Sequence, residues 1–268
     1  MADQIKYTNK LSGARILIIG ASSGLGYGVA EACIENGALV AAASSNPSRV
    51  NSAVEKLKSA YPSKTSNIHG LVVNLSKTEI LEQELEKLFK EAVGKIGGAD
   101  GKLDHVIFTA GDALAMMKIQ DMDINKIIQA GNVRFFAPLL AAKFVEIYLV
   151  PSPKSSYTIT TGAIGERPNA DWTVIGSYSG GHHAMVRNLA VDLKPIRVNG
   201  VAPGAVVTSL WNQIPEEQRQ GVFESLAEKV LVGKVGAVED VVETYLAILK
   251  DGNMDGTIIR TDGGGTIV

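Results

Sequence analysis

Seven short apolar runs alternate with longer segments in which apolar residues recur every three or four positions, and this alternation constrains the fold most strongly. Runs such as 15–19 (RILII) are almost wholly apolar, as expected of strands buried on both faces of a parallel sheet. Strands joined through helices form βαβ units, which place helices on both faces of the sheet. The pattern therefore predicts an α/β chain: a three-layer α/β/α sandwich with a doubly wound, seven-stranded parallel sheet. The predicted strands are 15–19, 38–43, 70–73, 104–109, 156–160, 196–201 and 256–260.

The segments between these runs predict the helices. A first helix passes through Val29 and Ile34 and should end at Gly37, a residue typical of helix C-termini. Two later helices are more apolar than solvated helices usually are, so we expect them to pair across a twofold axis in a homodimer or homotetramer. The later helices are predicted at 49–60, 79–93, 124–148 and 184–193, the last starting near 178.

Composition excludes several classes of protein. The 268 residues include 26 basic and 28 acidic side chains, and 46% are hydrophobic. This balance leaves no basic surface for nucleic acid or a membrane, and the chain is too apolar to be disordered. The single cysteine cannot form an internal disulfide, and no apolar stretch resembles a signal peptide or spanning helix, so we expect a cytoplasmic protein. We expect a flexible tail (1–11) and one domain (12–268).

A glycine-rich turn, 20–26 (GASSGLG), joins the first strand to the first helix. Glycines let a backbone turn tightly against a pyrophosphate, and the helix N-terminus that follows offers free N–H groups. The spacing differs from the commoner G-x-G-x-x-G, and a simple connector is the alternative interpretation. The position after strand one favours a cofactor site. Its predicted members are Gly20, Ser22, Ser23, Gly24, Leu25 and Gly26.

Further motifs follow in a consistent order, and with the turn they make the chain resemble the short-chain dehydrogenase/reductase family over nearly its whole length. These motifs are Asn74-Leu75, Thr109-Ala110-Gly111, Asn132, 197–204 (RVNGVAPG), Thr208 and Asp262-Gly263-Gly264. The resemblance implies a Rossmann-type fold, a dimer or tetramer, and a nicotinamide cofactor. It places Asn74 near the adenine, Ala110 and Gly111 along the ribose, and Thr208 near the carboxamide. The other cofactor residues that it implies are Leu75, Pro203, Gly204 and Val206.

The segment after the second strand indicates which nicotinamide cofactor binds. NAD-selective folds place a carboxylate there to hold the adenosine ribose. This chain has Ser44, Ser45, Asn46 and Arg49 instead, whose hydroxyl, amide and guanidinium groups suit a 2′-phosphate. We therefore expect NADP(H). The same residues are also typical of a helix cap and a solvated cation, and the two interpretations are compatible.

The family pattern breaks at its catalytic centre. The family's reductases use a tyrosine as the acid, a lysine four residues later and a serine before them. Alignment backwards from 189–193 and 197–199 puts Ile175 at the tyrosine position, Ser179 at the lysine position and the serine near Thr161 or Gly162. Tyr178, with His182 four residues later, is an alternative acid. It lies three residues beyond the aligned site, about one helical turn away.

Reduction of an iminium needs no acid, because hydride attacks a carbon already activated by cationic nitrogen and a neutral amine results. A carboxylate that holds the cation would help. Candidates lie where the family binds substrate, although Asp112 is also typical of a helix cap, Arg134 of an interface or core-bridging cation and Trp172 of a lid contact. With Tyr178, the predicted catalytic residues are Asp112, Asn132, Arg134, Asp171 and Trp172. The chain is similar to fungal indole-alkaloid reductases that reduce an iminium and shape an intramolecular [4+2] cycloaddition.

Three hypotheses follow for a small-molecule site beneath a lid at 208–235. The first is an NADPH-dependent imine or iminium reductase that also guides a cycloaddition. The second is a carbonyl reductase that uses Tyr178 and His182. The third is a catalytically silent NADP(H)-binding protein. No cluster of residues has metal-ligand spacing, so we expect no metal.

Overall fold

The strands form a single seven-stranded sheet with the order β3-β2-β1-β4-β5-β6-β7, and every neighbouring pair is parallel. The computed structural model describes residues 5–268. The strands are β1 Arg15–Ile19, β2 Leu39–Ser44, β3 Ile68–Val72, β4 His105–Phe108, β5 Ser156–Thr160, β6 Arg197–Pro203 and β7 Ile258–Thr261. The predicted doubly wound parallel sheet is confirmed, and the predicted strand ends differ from these by at most two residues.

Helices cover both faces of the sheet. The α-helices are α1 Gly24–Glu35, α2 Pro47–Ala60, α3 Leu81–Ile96, α4 Ile124–Gly131, α5 Ala137–Tyr148, α6 Thr173–Asp192, α7 Glu216–Ala227 and α8 Val238–Lys250. Short 3-10 segments lie at Pro62–Asn67, Thr78–Ile80, Ile119–Asp121, Ala163–Gly165 and Ser209–Gln213. Side chains of α3, α5 and α6 form the core on one face, and those of α1, α2 and α8 form the core on the other. This three-layer arrangement is the predicted Rossmann-type sandwich.

Two helical predictions need correction. The helix predicted at 124–148 contains a π-helical turn, Asn132–Phe136, between α4 and α5. The helix predicted from 184, or from near 178, begins at Thr173 and runs unbroken through its glycines. Gly181 is needed for packing, because a Cβ there would lie 2.8 Å from the ring of Phe135. Contact between the two helices therefore explains a glycine that local propensity would count against a helix.

The predicted tail and lid also have structure. Residues 1–4 of the tail lie outside the described residues, and 5–10 are exposed, but Leu11 is only 1% exposed and belongs to the core. Within the predicted lid, α7 buries none of its described side chains. In residues 5–268 we found no helix with the length and apolar character that crossing a membrane requires. Exposed apolar side chains on α5 and α6 include Leu139 and Val191, and pairing of these helices in an oligomer stays a prediction.

Candidate functional site

The glycine-rich turn lies at the carboxyl edge of the sheet, between β1 and α1. The strand order reverses between β1 and β4, and open α/β sheets bind ligands at such a point. Gly20 has a φ of +106°. A Cβ on it would lie 2.4 Å from the nitrogen of Ala110, and a Cβ on Gly26 would lie 2.2 Å from the carbonyl oxygen of Gly20. No side chain fits at either glycine, because Gly20 packs against the loop after β4 and Gly26 packs α1 against the turn itself.

The N-terminus of α1 is available to an anion. Ser23 holds the cap position, but its side chain makes no capping hydrogen bond to a described residue, and the first turn holds no acidic side chain. The first N–H groups of the helix and its dipole therefore favour a negative ligand. Thr208 stands over this turn, because a Cβ on Gly24 would lie 3.3 Å from its side chain. The structure thus brings the root of the lid to the predicted pyrophosphate site.

The segment after β2 carries the residues predicted to select the cofactor. Ser22 Oγ donates to Ser44 Oγ at 2.8 Å, which joins the glycine turn to the end of β2. Asn46 caps α2 by accepting from the Arg49 nitrogen at 3.0 Å, so the capping role is present. Ser45 and Arg49 are exposed beside it. Because residues 44–49 contain no carboxylate, this edge would not repel a phosphate.

The loop after β3 is braced by the π-helical turn. Asn74 Oδ1 accepts from the Ser76 nitrogen at 3.0 Å, and Leu75 is buried in the core. Asn132 is buried too: its Oδ1 accepts from Thr78 Oγ1 at 2.9 Å and its Nδ2 donates to the Ser76 carbonyl at 3.2 Å. Both ends of the Asn132 amide are occupied by this loop. Asn132, predicted among the catalytic residues, is therefore a brace here rather than a group presented to substrate.

The structure pairs two predicted catalytic residues, Asp112 and Arg134. Arg134, in the π-helical turn, donates from Nε to Asp112 Oδ1 at 3.0 Å and from Nη2 to the Asp112 carbonyl. The guanidinium lies over Gly111, where a Cβ would be 2.9 Å from Nη1. Burial lowers the pKa of Arg134, and the charge of Asp112 opposes that shift. The pair joins the loop after β4 to the π-helical turn.

Asp171 and Trp172 lie at the end of the loop that precedes α6. Asp171 has a φ of +65°, a conformation that aspartate tolerates better than most residues, and its carbonyl accepts from the Met117 nitrogen at 2.9 Å. This bond ties the loop before α6 to the loop after β4, which carries Asp112. The Asp171 side chain is exposed and makes no hydrogen bond or ion pair with a described residue. Trp172 is half-buried at the start of α6.

The aligned positions of the family's tyrosine and lysine are buried and cannot act as acids. Ile175 is 5% exposed and Ser179 is 7% exposed. Tyr178 does not replace them: its hydroxyl donates to the Ile127 carbonyl of α4 at 2.8 Å, and its ring packs 5.0 Å from that of Phe135. Burial raises the pKa of Tyr178, which also weakens it as an acid. The geometry therefore favours a contact between α6 and α4 as the role of Tyr178.

His182, which the carbonyl-reductase hypothesis pairs with Tyr178, is buried behind the site. His182 is 3% exposed; its Nδ1 lies 3.0 Å from Thr161 Oγ1 and its Nε2 lies 2.9 Å from the Arg134 carbonyl oxygen. Burial lowers its pKa to about 4, so the imidazole is neutral near pH 7. The spacing of Ile175, Ser179 and His182 puts all three on one helix face, which is the sequence signal for the burial of His182.

The end of β6 anchors the lid. Pro203 is the last residue of β6, and a Cβ on Gly204 would lie 2.9 Å from the Cα of Asp262. Val206 is buried, and its carbonyl accepts from Trp211 Nε1 at 2.7 Å. The predicted lid is therefore fixed at its root, close to the glycine-rich turn. Residues 5–268 contain no group of three or more His, Cys, Asp or Glu side chains that could hold a metal ion.

Comparison with known proteins decides the family. A family model described as an SDR-like Rossmann domain matches residues 7–268. The chain belongs to the short-chain dehydrogenase/reductase family. It is 45% identical to the short-chain dehydrogenase/reductase fsr5 of Gibberella fujikuroi, over 98% of both chains. It is 36% identical to the short-chain dehydrogenase/reductase malC of Malbranchea aurantiaca, again over 98% of both.

A solved structure supports the same conclusion. MalC reductase/Diels-Alderase from Malbranchea aurantiaca matches with a TM-score of 0.90 and 35% identity, covering 98% of this chain and all of that one. The resemblance derived from the motifs is thus confirmed, and the chain is an oxidoreductase of a family whose Rossmann fold binds a nicotinamide cofactor. This short-chain dehydrogenase/reductase has a glycine-rich turn at the carboxyl edge of its sheet and an α6 in which Ile175 and Ser179 are buried.

Proposed function

We propose that this short-chain dehydrogenase/reductase is an NADPH-dependent reductase of secondary metabolism that acts on the imine or iminium of an alkaloid-like substrate. The observation that carries the proposal is the pair of buried, non-acidic residues, Ile175 and Ser179, where the family's tyrosine and lysine are expected. Reduction of a ketone places negative charge on oxygen and needs an acid at that point. Reduction of an iminium moves the C=N π pair onto nitrogen and leaves a neutral amine, so no proton is required.

NADP(H) fits the residues present. Gly20 and Gly26 allow the close packing that shapes the turn, and the N-terminus of α1, which no side chain caps, offers its N–H groups to the pyrophosphate. Ser45 and Arg49 lie exposed where the 2′-phosphate would be held. When bound, NADPH supplies the hydride.

Asp171 is the carboxylate best suited to hold the substrate cation. The charge of Asp112 is already offset by Arg134 at 3.0 Å, whereas Asp171 has no such partner among residues 5–268. A carboxylate stabilises a cation more strongly as water is excluded from a closing site. In this proposal Asp171 faces the iminium, and the Arg134–Asp112 pair shapes the wall beside Gly111. Trp172 provides an aromatic face next to Asp171.

The crevice between Gly111 and Asp171, at the carboxyl edge of the sheet, is also proposed to guide an intramolecular [4+2] cycloaddition of the reduced product. Support comes from the 35% identity and full-length match to MalC, which is described as a reductase/Diels-Alderase. The loops around the site also expose apolar side chains, Met116 after β4 and Leu210 in the lid. Such surfaces suit a large apolar substrate held in a folded conformation.

The second and third hypotheses have less support. A carbonyl reductase would need the Tyr178 hydroxyl, which donates instead to a carbonyl of α4. A catalytically silent protein has no need of an exposed carboxylate such as Asp171 beside the crevice. It is an outcome of the experiment: tight NADPH binding with no hydride transfer to a panel of imines, iminium salts and ketones would support it.

The test measures NADPH oxidation with a cyclic iminium in wild type and in Asp171→Asn. We expect the variant to lose at least about 10-fold in kcat/KM, because an ionic contact in a partly closed site is lost. Asp192→Asn is the matched control, since it removes the same charge at the far end of α6, about 30 Å away. Wild-type activity in Asp171→Asn would overturn the role of that carboxylate.

A further inference from the structure

Thr161 presents its side chain at the carboxyl edge of the sheet, directly after β5. Its backbone nitrogen donates to the Val201 carbonyl at 2.8 Å, so the residue continues the pairing of β5 with β6 and its orientation is fixed. The residue is half-buried, so part of it remains open to solvent. Alignment also places the family's serine near this position.

The hydrogen bonds around Thr161 determine where its hydroxyl proton points. The Arg134 carbonyl can only accept, so Nε2 of His182, 2.9 Å away, must carry the imidazole hydrogen. A neutral imidazole has one N–H, so its Nδ1 must accept, and the donor at 3.0 Å is the hydroxyl of Thr161. The second polar neighbour of that hydroxyl, the Ser179 carbonyl at 3.3 Å, can also only accept.

Both neighbours therefore draw the single hydroxyl proton of Thr161 inward, away from the crevice. Protonation of His182 would not change this, because Nδ1–H would then donate to Oγ1 and the hydroxyl would turn to the Ser179 carbonyl. Toward the crevice, Oγ1 offers lone pairs alone. A ketone oxygen placed there would meet a second acceptor, whereas the N–H of a protonated imine would meet a partner.

We propose that Thr161, oriented by His182, is a specificity-determining hydrogen-bond acceptor that selects substrates with an N–H on the cationic nitrogen. This inference rests on the proposed function and narrows its substrate class to protonated imines. The reaction balances without an acid: hydride adds to carbon, the C=N π pair moves to nitrogen, and the N–H that Thr161 held stays on the neutral amine. His182 acts through Thr161 and is a positioning residue.

The test compares two substrates that differ only at nitrogen, protonated dihydroisoquinoline and N-methyl-dihydroisoquinolinium. Thr161→Val removes the acceptor at constant volume and should lower kcat/KM for the protonated imine about 10- to 100-fold. The N-methyl substrate, which has no N–H, should change by less than about twofold, and Thr161→Ser should restore the preference. Thr65→Val is the control, because it removes an exposed hydroxyl bonded to the Pro62 carbonyl far from the site.

A second readout does not depend on turnover. Nitrogen NMR of His182 at neutral pH should show a neutral imidazole with its hydrogen on Nε2. A hydrogen on Nδ1 would overturn the proposal, and so would an equal loss for both substrates in Thr161→Val, which would leave the proposed function standing. If the wild type reduces neither substrate, the proposed function fails and the specificity claim fails with it.

Discussion

Acid should destabilise the fold through His182, the buried histidine that joins α6 to β5 and to the π-helical turn. Burial lowers its pKa from 6.5 to about 4; the hydrogen bond to the Arg134 carbonyl partly opposes this shift, and the nearby side chains of His183 and Arg134 add to it. The unfolded chain takes up the proton near pH 6.5 and the folded chain only near pH 4, so the unfolded state binds more protons in between. The free energy of unfolding is therefore greatest above about pH 6.5 and falls as the pH drops through that interval.

The size of the effect follows from the two pKa values. One pKa unit corresponds to about 1.4 kcal/mol, so the interval from 6.5 to about 4 sets a limit of about 3 kcal/mol for His182. At about pH 5 nearly all unfolded molecules but few folded ones carry the proton on His182. The free energy of unfolding is then lower by about 2 kcal/mol than at neutral pH. A domain is typically stable by about 5–15 kcal/mol, so the loss is easily measured.

The assay is urea unfolding at about pH 7.5 and about pH 5, for wild type and His182→Gln. His105, also buried with its pKa lowered to about 4, contributes to the acid loss in both proteins and cancels in the comparison. We expect the decrease in the free energy of unfolding between about pH 7.5 and about pH 5 to be about 2 kcal/mol smaller in His182→Gln than in wild type, whatever the stability of the variant at neutral pH. Tyr178→Phe, which alters the same helix without removing a group that titrates here, should keep the wild-type loss. An unchanged loss in His182→Gln would refute a neutral, buried His182.

Three further substitutions test other parts of the site. Gly26→Ala should abolish NADPH binding in a calorimetric titration, because its Cβ would lie 2.2 Å from the Gly20 carbonyl oxygen. Gly94→Ala is the control, since a Cβ there meets nothing within 4 Å. Wild-type affinity in Gly26→Ala would contradict the role of the turn. Arg49→Ala should weaken NADPH about 10-fold and NADH by less than about twofold, whereas equal losses would argue against contact with a 2′-phosphate. Tyr178→Phe should keep the rate of iminium reduction within about twofold of wild type, because it removes only a neutral hydrogen bond to α4. Loss of turnover in this variant would favour the carbonyl-reductase mechanism.

Local pattern was sufficient to locate the strands, because residues buried on both faces of a parallel sheet form continuous apolar runs. β1 and β5 begin and end where the pattern predicts. The start of α6 was not predictable in this way. Its glycines lower helix propensity, and only the ring of Phe135, from a distant part of the chain, shows why Gly181 belongs in a helix.

The residues of the candidate site were predictable from the sequence, but the contacts between them were not. The motifs indicated Asp112 and Arg134 as separate candidates, but the hydrogen bond between them depends on the π-helical turn. A π-helical turn shifts the hydrogen bonds by one residue and carries no clear sequence signature. The network of His182 and Thr161 was missed for a related reason, since it also uses a backbone carbonyl of that turn.

The most direct test of the account is the rate of hydride transfer from NADPH to two substrates of the same ring size. These are a cyclic iminium and a bicyclic ketone, each followed in a single turnover with the wild-type protein. Without an acid at Ile175 or Ser179, the iminium should be reduced at least about 100-fold faster than the ketone, because general acid catalysis typically contributes a factor of that size. Reduction of the ketone at a comparable rate would contradict it.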